Sequence, residues 1–218
     1  WTSIRWSAWA AVHAARLLLD GEKAAYALCR PPGHHAFSDM AGGFCYLNNT
    51  AIAAQLLRRA HERVAILDVD LHHGNGTQEI FYRRGDVFTV SIHADPERFY
   101  PFFWGYANET GAEEGEGCNQ NFPLPRGSGD AEFLVELSAA IERIQQFAPG
   151  ALVVALGLDA FEGDPFGGLR VSTRGFGEIA RKIAAELPLP TLLVQEGGYL
   201  CDELGDNLRS FLEGFGGA

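Results

Sequence analysis

The sequence predicts an α/β domain built around a mostly parallel β-sheet, and three observations lead to this fold class. Short apolar runs alternate with helical patterns along all 218 residues, as in domains whose helices connect parallel strands. Some of these runs, such as residues 64–69, are apolar on both faces, which is typical of strands covered on both sides. No repeat, linker or low-complexity tract divides the chain, so we expect residues 1–218 to form a single domain.

The elements of the first half follow from apolar periodicity and from the residues that interrupt it. Trp9 and Val12 belong to a predicted helix that ends at Gly21, a residue suited to a helix C-terminus. A predicted strand follows and stops before Pro31 and Pro32. In chain order, this half contains a strand at 24–29, a helix at 49–59, a strand at 64–69, a short helix at 77–83 and a strand at 87–92.

The second half opens with a long stretch, residues 96–126, that is rich in aromatic residues and glycine and is predicted to be irregular. Loops of this length in compact domains are usually functional. A group of four glutamates within it is interpreted either as a solvated surface or as a surface that attracts cations: Glu109, Glu113, Glu114 and Glu116. The predicted elements that follow are a helix at 131–147, a strand at 151–156, a helix at 175–187, a strand at 191–194 and a helix at 202–215.

Composition excludes some classes of function. The 17 basic and 28 acidic residues give a net charge of −11, which argues against nucleic-acid binding and suits either a cationic ligand or simple solubility. No apolar run approaches the roughly 18 residues of a membrane span. The four cysteines are widely scattered, as expected for reduced thiols in the cytoplasm. Because the chain begins at Trp1, we expect an N-terminally truncated piece of a longer protein.

Polar side chains beside glycines follow five predicted strands. In a parallel sheet, the segments that follow the strands meet at the carboxyl edge, where ligands bind. We therefore expect these five segments to form one site. They are Pro32-Gly33-His34-His35, Asp68 to Gly76, Ser91-Ile92-His93, Gly157-Leu158-Asp159 and Gln195 to Tyr199.

Three of these residues have the side chains and spacing of metal ligands. Asp70 and His72 are two residues apart, so an extended chain would point both to the same face, and Asp159 would come from another strand end. Alone, either aspartate is more often a helix cap or a loop residue. Together, two carboxylates and an imidazole predict a catalytic Zn²⁺ site with an open position, and Fe²⁺ also fits.

Two adjacent histidines, His34 and His35, suit a general base and an electrostatic partner. Asp68 and Asn75 are available to orient them, and because one is charged and the other neutral, the two imidazoles should differ in pKa. Tyr199 lies in a Gly-Gly-Tyr turn, where it either donates to a developing oxyanion or only packs. The remaining histidines carry weaker signals: His13 and His61 are expected in helical surroundings, His73 is expected to pack, and His93 has no partner in a motif.

The chain resembles the zinc-dependent histone deacetylase and acetylpolyamine amidohydrolase superfamily. The matching stretches include Arg30 to Ala36, Gly42 to Asn49, Asp68 to Thr77, Gly157 to Asp159, Gly163-Asp164-Pro165 and Glu196 to Tyr199. The resemblance implies a three-layer arginase-deacetylase fold with its N-terminal part missing, and hydrolysis of an acetylated amine by metal-activated water. It implies zinc at Asp70, His72 and Asp159, catalysis by His34, His35 and Tyr199, and a substrate channel walled by Phe44 and Tyr100. It also implies a structural potassium ion at Asp68, Asp70, His72, Ser91 and Ile92.

The segment from Tyr100 to Gly111 looks like the bacterial acetylpolyamine amidohydrolase branch, so we expect an acetylated polyamine as substrate. The alternative is a lysine deacetylase that acts on proteins. A binuclear manganese ureohydrolase needs a further carboxylate where this chain has Gly74, and a non-catalytic acyl-amine binder would not need the complete ligand set. Within the resemblance, no nucleic acid or membrane is expected as a partner, and the full-length parent is expected to form a homodimer.

Overall fold

The computed structural model describes residues 1–217, which form a six-stranded parallel sheet with strand order β1-β6-β5-β2-β3-β4. The strands are β1 (Ala24–Ala27), β2 (Val64–Asp68), β3 (Val87–Ala94), β4 (Asn119–Leu124), β5 (Ala151–Leu156) and β6 (Thr191–Gln195). The helices are α1 (Thr2–Leu19), α2 (Asn49–Leu57), α3 (Asn75–Phe81), α4 (Asp130–Phe147), α5 (Thr173–Glu186) and α6 (Leu204–Gly216), with short 3₁₀ turns at Pro96–Arg98 and Glu113–Gly115. The predicted α/β class with a mostly parallel sheet is confirmed.

Helices cover both faces of the sheet, which gives three layers. One apolar core joins the sheet to α4, α5 and α6, through residues such as Phe133, Phe176 and Phe211. The other joins it to α1, α2 and α3, through residues such as Leu18, Leu57 and Phe81. Alternate residues of each central strand enter opposite cores, and β2 and β5 are buried along their whole length. This arrangement explains why their sequences are apolar on both faces.

Most predicted elements match the structure to within about two residues at each end. Gly21 ends α1 as expected: its φ is +105°, and its N–H bonds to the Leu18 carbonyl at 3.0 Å. The prediction that residues 96–126 are wholly irregular is wrong, because β4 lies within them. β4 is an edge strand that pairs only with β3, and it carries Asn119, Asn121 and Pro123. Its polar alternation and its proline hid it from an apolar pattern.

The strand order places the carboxyl ends of β6, β5, β2 and β3 side by side in the middle of the sheet. The loops after these strands therefore meet above one edge, as expected for a ligand site in a parallel sheet. Among residues 1–217, no helix is both long and apolar enough to cross a membrane.

Candidate metal and catalytic site

The three predicted metal ligands converge at the carboxyl edge of the sheet. His72 Nδ1 lies 3.0 Å from Asp159 Oδ2 and 3.3 Å from Asp70 Oδ1. One ligand atom from each residue falls within 4.8 Å of the others, and all three residues are buried. Two carboxylates and one imidazole directed at one point form a donor set that suits zinc.

The backbone brings Asp70 and His72 together in a different way from the one predicted. The expected extended conformation is wrong, because β2 ends at Asp68 and both ligands lie in the loop beyond it. In this loop the Asp70 N–H donates to Asp68 Oδ1 at 3.0 Å, and the His72 N–H donates to Asp70 Oδ1 at 2.9 Å. These consecutive side-chain-to-backbone turns place both ligands on the same side.

The charges at this point favour a bound cation. Burial, reinforced by the charge on Asp70, raises the pKa of Asp159 to about 6. Burial would also raise the pKa of Asp70, but His34 and His72 outweigh it and hold that pKa below its usual range. Burial opposes a charged His72, whereas its hydrogen bonds to Asp159 and Asp70 raise its pKa to about 10. Two buried carboxylates this close need positive charge beside them, and the ligand set present fits a divalent cation.

Backbone donors fix the carboxylate oxygens that face away from His72. The Gly197 N–H donates to Asp70 Oδ2 at 2.7 Å, and the Leu71 N–H donates to Asp159 Oδ1 at 3.0 Å. Such outer partners orient ligands and preserve their geometry.

Each predicted catalytic histidine has one of the two partners that the sequence offers, and the structure shows which. His34 Nδ1 lies 2.9 Å from Asp68 Oδ2, and His35 Nδ1 lies 2.7 Å from Asn75 Oδ1. The two rings are 4.1 Å apart, and the His35 ring is 6.0 Å from that of His72. Because an amide oxygen only accepts, Nδ1 of His35 carries its proton, which leaves Nε2 free to accept one when the ring is neutral.

The two imidazoles differ in pKa as the sequence predicts. Burial opposes a charged His34, but the carboxylates of Asp70 and Asp68 outweigh it and raise its pKa. Burial and the neighbouring His34 lower the pKa of His35. This pair therefore holds one charged and one neutral ring near neutral pH.

Tyr199 follows β6 in the loop that also carries Gly197. Its backbone N–H donates to Asp164 Oδ2 at 3.0 Å, which secures the turn. Burial and the charges of Asp70 and Asp159 raise the pKa of its phenol, so the hydroxyl stays protonated and able to donate. Its ring contacts Phe166 at 4.3 Å and Phe44 at 6.2 Å.

The two predicted channel residues lie near the site. Phe44 is 62% exposed and faces Tyr199. The Tyr100 ring lies edge-on to His35 at 4.9 Å and to His72 at 6.1 Å. Aromatic side chains therefore flank His35 and Tyr199.

Two further aromatic residues, which sequence analysis did not select, contact His72. Phe99 stacks on its ring at 5.1 Å, and Phe166 lies edge-on at 5.9 Å. Phe99 immediately precedes the predicted Tyr100, and Phe166 follows the matching Gly163-Asp164-Pro165 stretch. Because each of these residues lies next to a predicted site residue or motif in the sequence, that position could have indicated that they contact the site.

Glu196 is the principal polar residue that sequence analysis left without a role. Its buried carboxylate accepts from the N–H groups of Gly33 and His34, at 2.6 and 3.0 Å, and from the Thr50 hydroxyl at 2.6 Å. Glu196 thus ties the end of β6 to the loop that carries His34 and His35. Its position directly after a predicted strand was the one indication in the sequence that it has a role. Its partners could not be predicted, because they come from distant parts of the sequence.

Two residues predicted for the potassium ion, Asp68 and Ser91, face each other in the β2–β3 register and line a buried cavity of about 10 Å³. Asp70, His72 and Ile92 do not line this cavity. The Ser91 hydroxyl hydrogen-bonds to His93 Nδ1 at 2.8 Å.

The weaker histidines differ partly from expectation. His93 does have partners, because it is fully buried between the Ser91 hydroxyl and the Gly105 carbonyl, which its Nε2 meets at 2.9 Å. His61 lies just after α2 and its backbone N–H donates to the Leu57 carbonyl at 3.1 Å, as expected for a residue at the end of a helix. His13 is exposed on α1, and His73 packs against His93 and bonds Gln78, as expected for a residue that does not coordinate the metal.

We expect Gly197→Ala to lower zinc affinity by about 10- to 100-fold, as loss of outer-shell support does in other sites. A Cβ at Gly197 would lie 2.3 Å from Asp159 Oδ2 and 2.5 Å from Asp70 Oδ2, so both ligands must shift. Competition with a zinc-sensitive chelator measures the change. Gly205→Ala is the control, because a Cβ there meets no atom within 4 Å. Equal affinity in both variants would show that the close approach of Gly197 does not constrain the ligands.

Comparison with known proteins agrees with this geometry. The chain is 55% identical to an acetylpolyamine amidohydrolase of Burkholderia pseudomallei, over 99% of this chain and 63% of the relative. It is 46% identical to an acetylpolyamine amidohydrolase of Mycoplana ramosa, over 100% of this chain and 64% of the relative. The chain thus spans a little under two thirds of the length of these relatives.

Solved structures show the same fold. A crystal structure of the acetylpolyamine aminohydrolase from Burkholderia pseudomallei superposes with a TM-score of 0.95 at 56% identity, covering 97% of this chain and 61% of that one. The HDA15 HD domain superposes with a TM-score of 0.91 at 32% identity, covering 99% and 64% of the two chains. The family model of the histone deacetylase domain matches residues 1–215. The resemblance predicted from the motifs is confirmed, and the chain belongs to the histone deacetylase family.

Proposed function

We propose that the protein is a metal-dependent amide hydrolase that removes acetyl groups from acetylated polyamines. The observation that carries this proposal is the convergence of Asp70, His72 and Asp159 beside two buried histidines with different partners. The relatives named acetylpolyamine amidohydrolase support the substrate class.

Asp70, His72 and Asp159 would hold the metal, which we propose to be zinc, with Fe²⁺ as the alternative. A divalent cation bound there supplies Lewis-acid chemistry, polarising the acetyl carbonyl and making a water molecule more acidic. The chain's own contribution is to hold three ligands in place and to leave a further position open.

His35 is the proposed general base and acid. Its neutral ring accepts a proton at Nε2 from the attacking water and later returns a proton to the departing amine. Asn75 keeps the tautomer that this step requires, because its oxygen accepts the Nδ1 proton. Burial lowers the pKa of His35, and the charged neighbour His34, paired with Asp68, lowers that pKa further and so helps to keep His35 neutral at rest.

Tyr199 is proposed to donate its hydroxyl proton in a hydrogen bond to the carbonyl oxygen as negative charge develops there. Its protonated phenol and its position beside Phe166 and Phe44 support this role. Phe44 and Tyr100 would pack against the acyl-amine chain and exclude water from it.

Several finer proposals accompany this function. We propose that residues 1–218 belong to one catalytic domain, that the protein acts in the cytoplasm, and that it forms a homodimer. A structural potassium ion is proposed at Asp68, Asp70, His72, Ser91 and Ile92. The register that places Asp68 opposite Ser91 supports this proposal for those two residues only, since a buried carboxylate and a hydroxyl are suitable oxygen ligands.

A lysine deacetylase that acts on proteins is the second candidate, because the histone deacetylase family match covers residues 1–215. The ureohydrolase alternative is disfavoured by Gly74, which lacks the further carboxylate; a Cβ there would lie 2.3 Å from Asp68 Oδ2, so a larger side chain would displace Asp68 from His34. The complete ligand set and Tyr199 also argue against a non-catalytic binder.

The substrate proposal is tested by comparing kcat/KM for acetylputrescine, acetylspermidine and an acetyl-lysine peptide with zinc-loaded protein. We expect kcat/KM to be at least about tenfold higher for the polyamines. This preference requires only about 1.4 kcal/mol of additional transition-state stabilisation. His35→Ala is the matched control for contaminating deacetylase. Preference for the peptide would support the lysine deacetylase instead.

A further inference from the structure

The loop between β3 and β4 carries two aromatic residues that contact the site, Phe99 and Tyr100, and one half-buried glutamate, Glu109. The sequence interpretation of Glu109 as a solvated or cation-attracting residue is wrong, because its carboxylate points into the protein. Glu109 Oε2 accepts from Gln78 Nε2 at 2.7 Å, from the Gly105 N–H at 2.9 Å and from Asn121 Nδ2 at 3.3 Å. The neighbouring Glu113 and Glu114 remain exposed.

These partners come from different elements, so Glu109 joins the loop to the sheet edge and to α3. Gln78 lies on α3, Asn119 and Asn121 lie on the same face of β4, and Asn119 Nδ2 also donates to the Glu109 carbonyl at 2.6 Å. The Gln78 Oε1 atom accepts from both asparagines at 2.9 Å. A charged acceptor shared by three donors is stronger than a neutral one, and it holds its partners in fixed positions.

Gly105 is the part of the loop that this carboxylate holds in place. Its φ of +104° and its tight packing exclude a side chain, since a Cβ would lie 2.8 Å from His73 and from His93. Its carbonyl accepts from His93 Nε2, so both sides of this residue are bonded to the protein. The loop is therefore anchored at Gly105 and Glu109, through hydrogen bonds that do not involve the metal ligands.

A chain of contacts leads from this anchor to the site. The Tyr106 hydroxyl, next to Gly105, donates to the Phe102 carbonyl at 2.7 Å. The Phe102 ring lies edge-on to Tyr100 at 6.1 Å, and Tyr100 lies edge-on to His35 at 4.9 Å. A loop released at its anchor would allow Tyr100 to move away from the channel.

We infer that Glu109 is a positioning residue that holds the aromatic wall of the substrate channel through Gly105, Tyr106 and Phe102. The effect on substrate rests on the proposed function, whereas the effect on the loop does not. Glu109 does not contact the metal ligands in its hydrogen bonds, so its removal should weaken substrate binding rather than metal binding.

Glu109→Ala tests this role with three readouts: zinc content, steady-state kinetics on acetylputrescine, and chymotrypsin cleavage at Phe102, Phe103 and Trp104. We expect unchanged zinc, a KM raised about tenfold with kcat changed less than about threefold, and faster cleavage, since small misplacements near a site cost up to about 100-fold. Tyr106→Phe, which removes only the hydroxyl contact, should give a smaller change in the same direction. Glu114→Ala, an exposed glutamate of the same loop, should behave as wild type.

Unchanged KM and unchanged cleavage in Glu109→Ala would overturn the inference. A loss of zinc would also overturn it, because the substitution would then act through the metal ligands rather than through the loop. If the wild-type protein does not hydrolyse acetylputrescine, the proposed function fails. Faster cleavage of the Glu109→Ala loop with zinc retained would still support the positioning role in that case.

Discussion

Asp159→Ala should lower the affinity for zinc by more than about 100-fold and should abolish hydrolysis. This loss exceeds the range seen when only a residue that supports a metal ligand is removed. Asp159 is one of three convergent ligands, and its Oδ2 lies 3.0 Å from His72 Nδ1. Without it, His72 and Asp70 form an incomplete set. Metal analysis after dialysis, together with the rate of acetylputrescine hydrolysis, measures both losses.

Two further variants make the Asp159 result interpretable. Asp159→Asn keeps the shape and the hydrogen bond from the Leu71 N–H but removes the charge, so it should fold and still bind zinc weakly. Asp206→Ala removes an exposed aspartate of α6 that pairs with Arg209, and it should retain wild-type zinc and rate. Full zinc occupancy in folded Asp159→Ala would contradict the assigned ligand set.

Tyr199→Phe should keep its zinc and lose about 10²- to 10³-fold in kcat, the usual effect of removing one oxyanion donor. The hydroxyl is the only group removed, and the ring contacts with Phe166 and Phe44 can remain. Because the donor acts most strongly as charge develops, KM should change much less than kcat.

The control for Tyr199 is Tyr82→Phe, which removes a phenol hydroxyl just beyond the C-terminus of α3. It should leave the rate unchanged. A Tyr199→Phe enzyme with normal kcat would mean that Tyr199 only packs in its turn, the alternative that the sequence left open.

The site was largely predictable because its residues follow strands whose order along the chain is clear. Apolar runs located β2, β5 and β6, and the parallel arrangement then required Asp70, Asp159 and Tyr199 to share one edge. The need of each imidazole for a partner pointed to Asp68 and Asn75, and the structure pairs His34 with Asp68 and His35 with Asn75. The family motifs pointed to the same residues.

The residues that were missed depend on contacts between distant segments. Glu196 is buried because Gly33, His34 and Thr50 surround it, and nothing in its local sequence shows these partners. Glu109 resembles its exposed neighbours in sequence but meets donors from α3 and β4.

The same reasoning explains the missed strand. β4 has little apolar alternation because Asn119 and Asn121 serve a polar network rather than a core. A pattern of hydrophobic residues reports burial in apolar surroundings, and it does not report burial in polar ones.

Titration of metal-free protein with Zn²⁺, with the rate of acetylputrescine hydrolysis followed at each addition, tests the central claim most directly. The single ligand set at Asp70, His72 and Asp159 predicts a rate that rises with zinc and reaches its maximum near one equivalent per chain. Full activity before zinc is added, or a maximum that requires two ions per chain, would contradict a hydrolase with one catalytic metal.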